Sequence, residues 1–168
     1  MTLETERLRL RRLSVEDAGF ILRLLNDPAF ILNIGDKGVR TLNDACSYIV
    51  NGPIASYQKF GFGLWLVETK DSAEPVGICG LLKRDTLEDI DIGYALLPEF
   101  SGKGYAVESA SGVMDYAKTL GFSRVVAIVN PDNEPSIRVL EKIGFEFERM
   151  IRMSEDAAEL RLFASATG

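Results

Sequence analysis

A glycine-rich turn is the first stretch of this sequence that could carry chemistry. It runs from Pro98 to Glu108, with the letters PEFSGKGYAVE, and joins a strand-like apolar run to a helical pattern that starts near Tyr105. Glycine permits a tight turn and lets a ligand approach the main chain, while free N–H groups and the helix dipole attract negative charge. The turn therefore predicts an anion site. Because it lacks the G-x-G-x-x-G spacing and the Walker order of nucleotide-binding loops, we discount a general nucleotide or dinucleotide binder.

A second polar stretch, from Asn130 to Asn133, leads into another helical pattern from about Pro135 to Ile143. Asn133 is placed to cap this helix and Ser136 lies in its first turn, which are roles that both residue types fill without any ligand. Both side chains can also bind a ligand. The residues alone leave the two roles open.

The titratable residues restrict the possible chemistry. The chain has no histidine, which excludes a Ser-His-Asp triad, a Cys-His pair and a histidine metal site. Its two cysteines, Cys46 and Cys79, lie far apart without metal-ligand spacing, so we predict neither a metal site nor a disulfide framework. Catalysis is left to carboxylates, hydroxyls, tyrosine, lysine or the backbone.

Length and composition predict one domain. The 168 residues, 46% of them hydrophobic, are enough for one core, so we assign residues 1–168 to a single domain. Nineteen basic against 25 acidic residues give a net charge of −6, which argues against nucleic-acid binding and mildly favours a cationic or amine-bearing partner. No apolar run is long enough to cross a bilayer and the N-terminus lacks a signal-peptide pattern, so we expect a cytoplasmic protein without a membrane partner.

Residue periodicity predicts the elements of the first half of the chain. Alternation of apolar and polar residues indicates a strand, apolar spacing of three and four indicates a helix, and Gly and Pro interrupt both. In order, the predicted elements are a strand around Leu8 and Leu10, a helix from Ser14 that Asp27-Pro28 would stop, a loop from Phe30 to Arg40, and a helix from Thr41 that is interrupted at Asn51-Gly52-Pro53 and resumes towards Lys59.

The second half of the chain contains the elements that would position the two polar stretches. Polar turns separate its first three strands, which predicts an antiparallel meander that ends at the glycine turn. A long helix then runs to Gly121 and a further strand follows, and a strand, helix and strand in this order imply a right-handed crossover with parallel pairing. The predicted strands are Leu64 to Glu68, Val76 to Leu82, Ile90 to Leu97, Arg124 to Val129, Phe145 to Met153 and Glu159 to Phe163.

Two motifs occur together in these stretches. Ile92-Gly93-Tyr94 precedes the turn from Pro98 to Glu108, and Asn130 precedes the segment from Asn133 to Phe145, NEPSIRVLEKIGF. Together they resemble the GNAT N-acetyltransferases, and within them the branch that includes ribosomal-protein alanine and serine N-acetyltransferases. The order of predicted elements is also similar, so the resemblance covers nearly the whole chain. It implies a single α/β (mixed α+β) domain with a strongly twisted mixed sheet that is flanked by helices. The sheet would be splayed between its fourth and fifth strands, and acetyl-CoA would enter there.

The resemblance implies an acetyl-CoA site built largely from backbone groups. The main chain at Leu96 and Leu97, in the fourth strand, would hydrogen-bond the pantetheine arm, and Asn133 would lie near the same arm. Lys103, as a point charge, and Arg138, as a forked donor, are candidate phosphate partners, with surface solubility as the alternative for both. The amides that would hold the pyrophosphate are those of Gly102, Lys103, Gly104, Tyr105 and Ala106.

The resemblance also implies groups for the chemistry. A backbone amide near Leu97 would stabilise the oxyanion. Many family members have a tyrosine for the thiolate where this chain has Leu140, so Ser136 becomes the candidate, with a purely structural role as the alternative. Asp91 stands where relatives often have glutamate and could accept the amine's proton through water; a solvated strand edge and proton loss directly to water are the alternatives. Tyr94 is predicted to serve packing.

These expectations describe an enzyme that moves acetyl from acetyl-CoA to a primary amine by direct attack in a ternary complex. The amine would be a protein N-terminal α-amine or a small-molecule amine. The alternative is a catalytically inactive CoA-binding regulatory or interaction module, motivated by Leu140 and by the lack of a convincing base. Glu108 is interpreted only as favouring the helix dipole. The expected partners are acetyl-CoA as cosubstrate and the amine acceptor, without nucleic acid or metal, in a monomer or homodimer.

Overall fold

An eight-stranded mixed sheet forms the centre of the fold. The structure is a computed structural model, and it describes residues 2–165. Along the chain the strands are β1 (Thr2–Glu4), β2 (Leu8–Arg12), β3 (Leu64–Thr69), β4 (Pro75–Leu82), β5 (Ile90–Leu96), β6 (Val125–Val129), β7 (Phe145–Ile151) and β8 (Leu160–Ser165). Across the sheet they pair in the order β1-β2-β3-β4-β5-β6-β8-β7. The predicted mixed α/β fold is confirmed.

Helices cover both faces of this sheet. A π turn, Val50–Ile54, joins the third helix to the fourth, and short 3₁₀ turns stand at Val15–Asp17 and at Pro98–Phe100. The α-helices are α1 (Ala18–Leu25), α2 (Pro28–Asn33), α3 (Leu42–Ile49), α4 (Ala55–Phe60), α5 (Tyr105–Thr119) and α6 (Glu134–Lys142).

The splay lies between β5 and β6, which are the fourth and fifth of the predicted strands. These two strands are parallel and pair only at their beginnings, where Ile90 faces Val125 and Asp91 faces Val126. The other neighbouring strands in the sheet pair antiparallel. Beyond Asp91 the two strands separate, so the edge of β5 that faces β6 lacks a ladder partner there. The predicted splay is confirmed.

Two apolar clusters hold the helices against the sheet. On one face Val113 of α5 and Leu140 of α6 pack in a cluster with Ile92 of β5. On the other face Ile21 of α1 belongs to a cluster with Ile78 of β4. Full burial of such a side chain contributes about 1.5–3 kcal/mol, so each cluster fixes its helices firmly relative to β4 and β5.

Most predicted elements are present with small shifts at their ends. The three-strand meander, the parallel pairing across the long helix and the final pair of strands are confirmed. Gly121 follows the end of α5 with φ +88°. The predicted interruption near Pro53 is the π turn, which lies inside one continuous helical run from α3 to α4. Within residues 2–165 no helix is long and apolar enough to span a membrane.

One prediction at the element level is wrong, and one strand is missed. The region from Phe30 to Arg40 does not begin as a loop, because α2 occupies Pro28–Asn33. The Asp27 side chain accepts a hydrogen bond from the N–H of Ala29 and Pro28 stands in the first turn, so this pair starts a helix as well as ending the previous one. The short edge strand β1 is not predicted at all, since three residues are too few to show a period.

Candidate active site

A cavity with a volume of about 580 Å³ opens where β5 and β6 separate. One side is formed by the glycine turn and by the first turns of α5 and α6, which cover one face of the sheet. The other side is formed by α2, on the opposite face, together with Arg84 and Asp91. Leu97 and Lys103 do not line the cavity; the predicted site residues that do are Asp91, Leu96, Gly102, Gly104, Tyr105, Ala106, Asn133, Ser136 and Arg138.

The glycine turn presents a row of free amides to this cavity. Gly102 and Gly104 have φ values of +77° and +83°, in the left-handed region that favours glycine. Gly104 is the N-cap of α5. Within residues 2–165, the N–H groups from Gly102 to Val107 have no hydrogen-bond acceptor in the protein. Unpaired N–H groups at the N-terminus of a helix form a ready site for phosphate.

Arg7, just before β2, braces the glycine turn from outside. Its Nη1 donates to the carbonyl of Lys103 at 2.9 Å and its Nε donates to Glu108 Oε1 at 2.7 Å. The guanidinium also lies 4.7 Å from the centre of the Tyr105 ring, a cation–π distance. These contacts tie the turn and the start of α5 to the neighbouring edge of the sheet.

Glu108 is the anchor of this brace. Its carboxylate accepts hydrogen bonds from Thr5 Oγ1, from the N–H of Arg7 and from the Arg7 guanidinium. Burial raises the pKa of Glu108, but these hydrogen bonds outweigh burial and bring the pKa below its usual range. The role predicted from the sequence, a favourable charge for the helix dipole, is therefore only part of what this residue does.

The main chain of β5 corrects the prediction for Leu97. The N–H of Leu97 donates to the carbonyl of Val76 at 2.9 Å, and its own carbonyl accepts from the N–H of Phe100 at 3.0 Å. Leu97 is also only 2% exposed. The N–H of Leu97 is thus already bonded inside the protein, so this amide is not free for an oxyanion or for the pantetheine arm.

The free amides of β5 lie one residue away from the predicted one. Hydrogen bonding in a strand alternates between its two edges. Because the Leu97 N–H points to β4, the N–H groups of Leu96 and Tyr94 point to the other edge, which is the side of the splay. The pattern of side chains does not show to which edge of a strand a given N–H points. The predicted amide, that of Leu97, is therefore one residue away from the free amide of Leu96.

Tyr94 joins the two sides of the splay through its hydroxyl. The Tyr94 oxygen lies 2.9 Å from Ser136 Oγ and donates to the Ser136 carbonyl at 3.1 Å. Burial raises the pKa of Tyr94, so the phenol stays protonated. The prediction that Tyr94 serves only packing is wrong. A usable signal existed in the sequence, since the hydroxyl of a buried tyrosine normally finds a polar partner.

Ser136 and Asn133 take the positions expected from the helix pattern. Asn133 is the N-cap of α6, and its Oδ1 accepts from the N–H of Ser136 at 3.3 Å, which confirms the predicted cap. Both residues also line the cavity. Leu140, at the position where many relatives have tyrosine, is 1% exposed and belongs to the core as well as to the cavity wall.

Asp91 is buried rather than part of a solvated strand edge. It is 1% exposed, and both of its carboxylate oxygens lie 3.2 Å from Arg84 Nε. Burial raises the pKa of Asp91, while the neighbouring Arg84 opposes this shift. A carboxylate with a raised pKa beside a cavity is a stronger proton acceptor than an exposed one.

The two predicted phosphate partners differ in position. Arg138, on α6, is exposed and lines the cavity. Lys103 lies outside the cavity lining, and it is its backbone carbonyl that is held by Arg7. No cluster of three or more His, Cys, Asp or Glu residues suited to a metal ion occurs within the part of the chain that the structure describes.

The structure thus combines a splayed mixed sheet with a row of free amides at the N-terminus of one helix. This combination is typical of a protein that binds an anionic ligand in a cleft of its sheet. Residues 7–146 match the family model described as the acetyltransferase (GNAT) domain. The chain therefore belongs to the GNAT acetyltransferase family, as the resemblance implied.

Individual relatives agree with this assignment. The chain is 33% identical over 152 residues to the uncharacterised N-acetyltransferase YoaA of Bacillus subtilis, covering 89% of this chain and 85% of the relative. An acetyltransferase from Agrobacterium tumefaciens superposes with a TM-score of 0.84 and 26% identity, covering 99% of this chain and 94% of the other. The ribosomal L7/L12 α-N-protein acetyltransferase RimL, solved with coenzyme A, shares the fold, with a TM-score of 0.83, 19% identity and coverage of 98% and 97%.

Proposed function

We propose that this protein transfers the acetyl group of acetyl-CoA to a primary amine by direct attack in a ternary complex. The observation that carries the proposal is the row of unpaired amides from Gly102 to Val107, at one side of a cavity that continues along β5 to the buried carboxylate of Asp91. Membership of the GNAT family supports it. RimL, which shares the fold, is an acetyltransferase that binds coenzyme A.

The cosubstrate is proposed to lie along the splay. Its pyrophosphate would accept hydrogen bonds from the amides between Gly102 and Ala106, at the positive end of the α5 dipole. The pantetheine arm would pair with the main chain of Leu96, on the edge of β5 that lacks a strand partner, and would pass Asn133. Arg138 would contact a phosphate.

The reaction needs one bond to form, one bond to break and one proton to move. The lone pair of a neutral amine attacks the thioester carbon, and the carbonyl oxygen becomes an oxyanion. Collapse of this intermediate breaks the C–S bond and releases the CoA thiolate. The amine nitrogen loses a proton and the thiolate gains one. The N–H group of Tyr94, which faces the splay and lies nearer than Leu96 to Asp91 along β5, is the proposed oxyanion donor.

Asp91 is the proposed acceptor of the amine's proton, directly or through water. Its raised pKa makes it a better base near neutral pH than an ordinary carboxylate. Arg84 holds the carboxylate in place through both oxygens. The burial of this carboxylate weighs against one of the two motives for the inactive alternative, which was the lack of a convincing base.

Tyr94 and Ser136 are the proposed partners of the departing thiolate. Their hydroxyls are 2.9 Å apart in the cavity wall, and each could donate a hydrogen bond that stabilises the thiolate until it gains its proton. Tyr94 approaches from β5, whereas the tyrosine of many relatives would stand on α6 at Leu140. We propose that this phenol, from the facing strand, substitutes for it, which weighs against the second motive for an inactive module.

Calorimetric titration with CoA and a thiol-release assay with acetyl-CoA and a panel of primary amines test this proposal. We expect CoA binding and amine-dependent release of free thiol. Absence of CoA binding at millimolar ligand would contradict the proposal, and binding without turnover on any amine would favour the regulatory module instead.

A further inference from the structure

The cavity has a charge opposite to that of the whole protein. The chain carries a net charge of −6. The cavity, in contrast, is lined by four basic side chains and one acidic side chain: Lys37, Arg84, Arg138, Lys142 and Asp91. A concave site lined by one sign of charge concentrates ligands of the opposite sign.

CoA accounts for only two of these cations. Arg138 and Lys142 belong to α6, on the side of the cavity where the glycine turn lies. Lys37 and Arg84 lie on the other side, beside Asp91 and α2. The proposed position of CoA therefore leaves Lys37 and Arg84 without an anionic ligand.

The protein itself neutralises only one of these two cations, because Arg84 pairs with Asp91 whereas Lys37 has no acidic partner among residues 2–165. Asp36, the acid next to Lys37, is held elsewhere, because it pairs with Arg40 and accepts a hydrogen bond from the N–H of Gly38 at 2.8 Å. Within residues 2–165 Lys37 forms no ion pair. Among the described residues Arg84 pairs only with Asp91, and its side chain remains 38% exposed, so it can contact a second anion.

Lys37 and Arg84 line the same part of the cavity, and each affects the charge of the other. The Lys37 side chain is exposed, and partial desolvation at the cavity wall followed by repulsion from Arg84 lowers its pKa. Because both cations line the same side of the cavity and repel each other, an anion that contacts both of them stabilises both. A polyamine at this position would instead meet Lys37 and Arg84, with a single carboxylate that is already paired.

From this arrangement we propose that the amine acceptor carries a carboxylate or phosphate close to its amino group, and that Lys37 and Arg84 bind that anionic group. This inference rests on the proposed acetyl transfer and specifies its substrate class. It also reverses the interpretation of the net charge, which mildly favoured a cationic partner. The amine would lie beside Asp91 while the acidic group contacts the two cations.

Matched amines that differ only in charge test this specificity. One arm compares the peptides Ser-Asp-Glu-Gly and Ser-Asn-Gln-Gly, and a second arm compares phosphoethanolamine with ethanolamine; spermidine serves as the cationic probe. We expect the acidic member of at least one pair to have a kcat/KM about tenfold above its neutral twin, the effect of one charge-assisted hydrogen bond. The arm with the larger ratio distinguishes a peptide acceptor from a small phosphorylated amine.

Substitution of Lys37 provides the second readout. Lys37→Gln is expected to reduce the preference for the acidic amine several-fold, because Arg84 remains, and Lys37→Glu to abolish it, with the Kd for CoA unchanged. Lys118→Glu makes the same change in charge on an exposed residue of α5 outside the cavity, and it should leave the preference intact.

The possible results separate this inference from the proposed function. Thiol release that is as fast or faster with neutral amines or spermidine would overturn the inference and leave acetyl transfer standing. A preference for acidic amines that survives Lys37→Glu would overturn the assignment to Lys37 and Arg84. No thiol release with any amine would overturn the proposed function, and the inference with it.

Discussion

Tyr94 tests the chemistry at the scale of a single residue. Tyr94→Phe removes one hydroxyl and keeps the ring in place, so we expect kcat to fall by about 10²-fold, at the lower end of the range for a lost proton-transfer group. The Kd for CoA should stay close to that of the wild type. Steady-state thiol release and calorimetry measure the two quantities.

Ser136 provides the comparison for Tyr94. Ser136→Ala leaves the phenol free to reach the thiolate, so its effect on kcat should be smaller than that of Tyr94→Phe. Thermal melting of both variants checks that they fold. A Tyr94→Phe enzyme that turns over at the wild-type rate would rule out the proposed role of Tyr94.

Asp91 should determine the acid side of the pH profile. Arg84 and, more weakly, Lys83 oppose the effect of burial on Asp91, but the net pKa is raised. Activity should therefore fall as the pH drops through the raised pKa of Asp91, because the protonated acid accepts no proton. Asp91→Asn should lower kcat by about 10²-fold and remove this limb of the profile. An unchanged acid limb in Asp91→Asn would show that another group titrates.

Side-chain patterns predict which face of a strand a residue occupies better than they predict what it contacts. Alternation along β5 places Asp91 opposite Ile90 and Ile92, and this placement is correct. Neither the burial of Asp91 nor its partner Arg84 is visible in the sequence, because both depend on how the chain folds back. The direction of the Leu97 amide is hidden for a similar reason, since every residue except proline has such a group.

At the scale of the element, Gly104 tests the glycine turn. Gly104→Val places a branched side chain at φ +83°, and its Cβ would lie 3.2 Å from Arg7 Nη2. The strain of a left-handed residue, about 1 kcal/mol or more, should shift the turn and weaken CoA binding by about tenfold or more. Gly19→Ala, in α1 with open space around it, is the matched control and should bind CoA as the wild type does. Equal affinity in Gly104→Val would contradict the placement of the pyrophosphate.

Substitution of Arg7, which precedes β2, tests whether its contacts support the glycine turn. Arg7→Ala removes the hydrogen bonds to Lys103 and Glu108, so the turn loses its brace and CoA affinity should fall several-fold while kcat at saturating acetyl-CoA changes little. Arg9→Ala, on the same edge but paired with Glu4 and Glu68, is the control for charge. If both substitutions weaken CoA binding equally, the effect is one of overall charge rather than of the brace.

Local signals predict the elements well where they are unambiguous. The caps at Thr41 and Asn133 have the predicted geometry, with hydrogen bonds to Asp44 and Ser136. Asp27-Pro28 is ambiguous, because proline stops one helix and fits the first turn of the next equally well. Packing of Phe30 in the core favours the second outcome, and that contact is not local in sequence.

At the scale of the whole molecule, the fold follows from the order of its elements. A meander, a long crossover helix and a final hairpin restrict the sheet to few arrangements. The distribution of charge over the folded protein, in contrast, cannot be predicted from the order of the elements. The net charge of −6 describes the surface, whereas the basic cavity arises only when α2, β5 and α6 meet. The expected cytoplasmic location and the monomeric or homodimeric state stay predictions.

The charge of the cavity predicts how CoA binding depends on salt. Screening between exposed charges extends about 10 Å at 0.1 M ionic strength and about 3 Å at 1 M, so added salt should weaken the attraction between CoA and the cations of the cavity. We expect the Kd for CoA to rise steadily with NaCl concentration despite the acidic net charge of the protein. A Kd that falls with salt would mean that repulsion by the whole molecule outweighs the local field.

The most direct test of acetyl transfer in this cavity is the stoichiometry of its products. Purified protein is incubated with acetyl-CoA and an amine that supports thiol release, and free thiol and acetylated amine are measured in the same samples. We predict one acetylated amine for each thiol released, and loss of both products together in Asp91→Asn, which should still bind CoA. Thiol release without acetylated amine, or full product formation by Asp91→Asn, would contradict the proposed mechanism.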